Sequence, residues 1–169
     1  MNRTSARALT AARPVIRVLT VLNILYGLGI VALLVASFFT EGWPMRPLGI
    51  QLASHPWAAA GLRTIMVIGV LGAGIVHTIL QRLLAIVDTV RDGDPFILDN
   101  AQRLHAIAWR LVALEVLRVL VLAIASAAWE SGRLGEYSFT PWLAVLLLFV
   151  LSGVFAHGAR MRADLEGTV

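Results

Sequence analysis

The chain has no cysteine. Disulfides, iron–sulfur clusters and thiolate zinc sites are therefore excluded, and no redox compartment is implied. Lysine is absent as well, so all 14 basic residues are arginine. Charge itself is scarce: 14% of residues are charged and 59% are hydrophobic, with a mean hydropathy of +0.81. A water-soluble domain does not have that balance, and an integral membrane protein does. The isoelectric point near 11.0 is no argument for nucleic acid, because arginines beside apolar spans are also what orients a chain in a bilayer. No direct nucleic-acid contact is expected.

What is abundant is apolar sequence in long runs. Four of them, at about 18–39, 60–80, 107–128 and 141–159, approach the ~20 residues that cross ~30 Å of hydrocarbon as a helix. Only helices fit, because open strands would leave backbone groups unpaired in lipid. Arg3, Arg7, Arg13 and Arg17 precede the first run. That run is longer than the ~7–15 residues of a signal-peptide core, so it is read as a retained span. The expected fold is all-α: a single four-span bundle over residues 1–169, embedded in the lipid bilayer.

Orientation follows from the arginines. With the N-terminus in the cytoplasm, that side holds Arg3, Arg7, Arg13, Arg17, Arg82, Arg91, Arg103, Arg110, Arg160 and Arg162. The outer side holds only Arg46, Arg63 and Arg133, and Arg118 falls within the membrane. The excess selects both termini in the cytoplasm. Aromatic residues agree: Trp43, Trp57, Trp129, Tyr137 and Trp142 fall at the outer interface and Trp109 at the inner one.

The stretch RDGDPFILDNAQRL (91–104) interrupts the apolar pattern. Before it, Leu83, Leu84, Val87 and Val90 keep helical spacing among Arg82, Asp88 and Arg91, which predicts that the second span continues as an amphipathic rod. Gly93 is a natural C-terminal cap and Pro95 prevents the helix from running on. Asp99 is expected to cap a new helix, with Gln102 at the third position as in a capping box. Leu104, Ile107 and Leu111 give the return helix its apolar face. The expectation is a cytoplasmic helical hairpin over 81–106, with Phe96, Ile97 and Leu98 available to plug its tip.

The hinge GDPFILDNAQRL and the tail VFAHGARMRADLEGTV resemble a family of small bacterial four-span membrane proteins catalogued as DUF2975. The specific part is Gly93, Pro95, Phe96, Asn100, Arg103 and Leu104, with an acidic end closing in Thr-Val. The resemblance covers most of the chain. It implies a partner, because members are often encoded next to a small helix-turn-helix transcription regulator. No biochemical activity comes with it.

Asp88, Asp92, Asp94 and Asp99 suit a hard cation by residue type. Head-group transferases also place paired Asp-Gly motifs on helix ends, but only one Asp-Gly is present, and capping plus pairs such as Asp99 with Arg103 account for these residues. The glycines of GVLGAGIVH (69–77) sit inside a span, without a preceding strand or a lysine, so close helix packing is the better use. His77 and His157, with His105 near the same level, are read as hydrogen-bonding residues rather than haem ligands.

Glu115 and Arg118 are the sharpest feature: three residues apart on one helix face, at a depth where ionisable groups are costly. Asn23 and Tyr26 lie at comparable depth in the first span. Such a cluster senses a ligand, ion or proton, or it is a self-neutralised pair that fixes helix orientation. No nucleophile and base arrangement is visible, so no enzyme activity, catalytic residue, metal or cofactor is expected. Two functions remain. One is a regulatory or sensory binding module whose hairpin (Arg91, Asp92, Gly93, Asp94, Pro95, Phe96, Asp99, Asn100 and Arg103) meets a cytoplasmic helix-turn-helix regulator. The alternative is a small transporter or channel subunit using the Glu/Arg cluster, for which four short spans require a homodimer.

Overall fold

The computed structural model describes residues 3–39, 57–128 and 139–166. Among them the chain is all α: α1 Arg3–Phe39, α2 Ala58–Arg91, α3 Leu98–Ala128 and α4 Thr140–Glu166. Trp43, Arg46, Trp129, Arg133, Tyr137 and the closing Thr-Val, all used in the orientation and resemblance arguments, lie outside the described residues. Three helices, α1, α2 and α4, are long and apolar enough to cross a membrane. The 31-residue α3 differs in carrying Arg110, Glu115 and Arg118 in its apolar stretch.

Two helices are longer than their apolar runs require. α2 continues without a break to Arg91, as its amphipathic spacing predicts. α1 begins at Arg3 and runs through Pro14, well before the run that starts near residue 18. Proline removes one backbone donor, and Pro14 sits on an exposed face where the freed carbonyl does not have to be buried. The extension is held laterally, with Arg13 Nε 3.3 Å from Asp88 Oδ1 on α2.

α1 shows which side packs. Ile16, Thr20, Asn23, Gly27, Ile30, Leu34 and Ser37 form a stripe of lower exposure at alternating steps of four and three, the seam of two nearly antiparallel helices. It meets α2 closely: a Cβ on Gly27 would lie 3.4 Å from Ala73 Cβ, and one on Gly69 would lie 3.1 Å from Ile30 Cδ1. Gly69 and Ala73 of the second span therefore serve helix packing, whereas a Cβ on Gly74 would meet nothing within 4 Å.

The helices associate in chain order, α1 on α2, α2 on α3 and α3 on α4. On α2, Ala73 and Asp88 bond α1, whereas Thr78 and Thr89 bond α3. At 100° per residue these two sets are centred about 120° apart around the helix, and with contacts running only between neighbours in chain order the result is an open helical bundle in which α1 and α4 are outer members. On α3 the buried residues Asn100, Leu104, Ile107, Ala108 and Glu115 share one face. Arg13 to Asp88 and Arg162 to Asp94 bring the start of α1, the α2–α3 turn and the end of α4 to one end of the bundle. At the other end, Arg63 donates to the Ser37 carbonyl at 2.7 Å and lies 4.4 Å over the Phe38 ring.

Candidate functional site

The turn between α2 and α3 is built from the inside. Gly93 has φ +95°, a conformation that favours glycine. Its N–H bonds the Val90 carbonyl at 3.3 Å and the Asp94 N–H bonds the Thr89 carbonyl at 3.0 Å, the paired closure of a Schellman cap. The expected cap of α3 shifts by one or two residues. The helix starts at Leu98, and the Ile97 carbonyl accepts from the N–H groups of Asn100 and Ala101. Asp99 is in the first turn rather than ahead of it, where its charge favours the helix dipole. It stands 3.9 Å from Arg103.

Asn100 is the centre of this turn. It is 0% exposed, and its amide nitrogen donates to Thr89 Oγ1 at 2.8 Å and to the Pro95 carbonyl at 3.0 Å. Its carbonyl oxygen accepts from Arg103 Nη1 at 2.8 Å. Thr89 Oγ1 also reaches the Ile86 carbonyl at 2.8 Å. One side chain thus ties the last turn of α2, the loop and the first turns of α3, with its own polar atoms satisfied as a buried amide requires.

The turn also rests on α4. Phe96 stacks on Phe155 with centroids 5.2 Å apart, and a Cβ on Gly158 would lie 3.0 Å from Phe96 Cδ1. Asp94 forms an ion pair with Arg162. Of the residues expected on the hairpin, Pro95, Phe96, Asn100 and Arg103 are therefore engaged within the fold, Asp94 and Asp99 are paired, and Arg91, Asp92 and Gly93 are exposed. Sequence reasoning did not place Thr89, Phe155, Gly158 or Arg162 at the hinge. The last three lie in the tail that carried the family resemblance, which was the available signal.

Glu115 and Arg118 meet as their spacing predicts, Nε donating to Oε2 at 2.8 Å, with Glu115 9% exposed. Asn23 and Tyr26 do not join them. Asn23 donates to the Ala73 carbonyl at 2.9 Å and so pins α1 to α2, while Tyr26 is 59% exposed. The reason is topological: α1 packs on the side of α2 away from α3. A second polar tie appears nearer the turn, where Arg110 Nε donates to Thr78 Oγ1 at 2.9 Å and Nη1 to the Ala106 carbonyl.

His77, His105 and His157 lie on three different helices, α2, α3 and α4. His77 bonds Gln81 at 2.8 Å, and His157 is exposed. His105 accepts from Trp109 Nε1 at 3.1 Å, and both rings pack edge-on against Phe149 of α4. Among the described residues no group of three or more His, Cys, Asp or Glu is placed to hold a metal ion. Asp88 and Asp94 each face an arginine. The arrangement can bind helix to helix and present charge at its rim.

No curated protein and no solved structure matches the chain. A family model does, over residues 4–169. With the hinge, its buried asparagine and its seat on α4 inside that match, the chain belongs to the family described as Protein of unknown function (DUF2975).

Proposed function

We propose that the protein is a four-span protein of the bacterial inner membrane, with both termini in the cytoplasm, that acts as a non-enzymatic regulatory or sensory binding module. Membrane passage of α3 is supported by its neighbours. Over its first half it is bonded to α2 through Thr78 and Thr89 and packs His105 and Trp109 on α4, and both of those helices are apolar enough to cross. Its Glu115 and Arg118 neutralise each other, which lowers the cost of their depth. The inside orientation is supported by the gathering of Arg13, Arg17, Arg82, Arg91, Arg103, Arg160 and Arg162 towards one end, against Arg63 at the other.

The observation that carries the binding role is the division of the hinge. Its interior is locked by Asn100 and Phe96, while Arg91 and Asp92 point outward and have no side-chain partner among the described residues. A rigid rim with free charge of both signs suits recognition of a cytoplasmic protein, for which a small helix-turn-helix regulator is the proposed partner. Co-expression with the neighbouring regulator tests it. Wild-type protein is expected to co-purify with the regulator, and the exchange Arg91→Glu with Asp92→Arg to release it without changing thermal stability. Retention by the exchanged protein overturns the reading.

A further inference from the structure

Beside the hinge lies a groove of about 430 Å³, walled by Phe96, Ile97 and Leu98 on one side and by Ala159, Arg160 and Arg162 of α4 on the other. Asp94 also lines it and pairs with Arg162. Two arginines against one aspartate leave one positive charge, and Arg160 has no bonded partner among the described residues. The volume is that of a small-molecule site. The groove opens where the apolar part of α4 ends, since Arg160 follows the run through residue 159. With α4 across a membrane, this is the level of the phospholipid headgroups, which sets the α2–α3 turn at the membrane surface and not at the tip of a hairpin projecting from it.

We propose that this groove holds the headgroup of an anionic glycerophospholipid. The phosphodiester, with one negative charge, is received by the Arg160 guanidinium, and the ion pair to Asp94 fixes Arg162 beside it. Phe96, Ile97 and Leu98 receive the apolar glycerol-ester region. A monoanionic phosphate neutralises the net charge of the groove, whereas a zwitterionic headgroup does not. The proposal rests on the membrane placement of α4 and is independent of the protein partner of Arg91 and Asp92.

The test uses the full chain in neutral detergent, titrated with phosphatidylglycerol, phosphatidylcholine or inorganic phosphate, with thermal unfolding and the native mass of the complex as readouts. Phosphatidylglycerol is expected to bind saturably with one-to-one stoichiometry and to raise Tm beyond the effect of phosphatidylcholine, with no rise from phosphate. Arg160→Gln weakens that binding about tenfold, the worth of one charge-assisted hydrogen bond. Ala163 also lines the α4 wall, and Ala163→Leu, which fills the groove and leaves every charge in place, weakens it too. Arg17→Gln, a change on α1 of the same net charge, leaves it intact. Equal effects of the two lipids, an equal loss in Arg17→Gln or a rise with phosphate alone overturns the proposal. Extraction of the chain from membranes only by detergent tests the placement of α4 separately.

Discussion

Phe96 of the α2–α3 turn and Gly158 of α4 are in direct contact, with no room between them for a methyl group: an added Cβ would lie 3.0 Å from the ring. Residues 62 positions apart in sequence thereby seat the turn on the end of the bundle. Gly158→Ala is expected to destabilise by about 1 kcal/mol and Gly158→Leu by about 3 kcal/mol, since overpacking forces the ring off its rotamer. Phe96 is 45% exposed, so Phe96→Ala costs about 1–2 kcal/mol rather than a full core value. Combining Gly158→Leu with Phe96→Ala should recover part of the loss in denaturant melts. Strict additivity would show that the two residues do not touch.

Asn100→Ala removes both donors and the acceptor of the turn at once. Thr89 Oγ1 and the Pro95 carbonyl lose their partner, at a cost of about 2–4 kcal/mol for buried polar groups left unmade. Gln102→Ala, on the exposed side of the same helical turn, is expected to change stability by less than about 0.5 kcal/mol. Hydrogen exchange of the backbone amides at 93–101 reads the effect locally and should quicken in the Asn100 variant alone.

Glu115→Gln leaves the Arg118 guanidinium without its carboxylate. This single change is expected to reduce the yield of folded, inserted protein more than the double change Glu115→Gln with Arg118→Gln, because an uncompensated buried charge costs several kcal/mol and removal of both partners is nearly neutral. Detergent-extracted yield and Tm measure it. A well-folded double variant that has lost a cellular phenotype assigns the pair to sensing, and a fully active one assigns it to holding the helix in place.

The absence of cysteine makes topology directly readable. Single cysteines at Trp57 and Phe139, exposed at the starts of α2 and α4, should react with an impermeant thiol reagent in intact cells. Cysteine at Gln102, exposed near the turn, should react only after lysis. The opposite pattern reverses the orientation, and protection of Phe139 together with Gln102, with Trp57 still reacting, removes α3 as a span.

The sequence by itself determined the elements. The long apolar runs admit only helices in lipid, the spacing of Leu83, Leu84, Val87 and Val90 carried α2 to its observed end, and Gly93 with Pro95 marked where it stops. The Glu115–Arg118 contact was legible for the same reason: residues three apart on one helix meet whatever the rest of the fold does. Tertiary structure decided everything that links residues on different helices. Depth alone grouped Asn23 and Tyr26 with Glu115, but α1 packs on the far side of α2, and hydrophobic periodicity does not specify which neighbour a helix face meets. Asn100 read as a surface residue of the hinge because burial of an amide depends on partners, here Thr89 eleven residues away and the Pro95 carbonyl, being in place to replace water. The seat of Phe96 on Phe155 and Gly158 and the Asp94–Arg162 pair follow from where α4 returns, which is set by the packing of whole helices and not by the local pattern of any one of them.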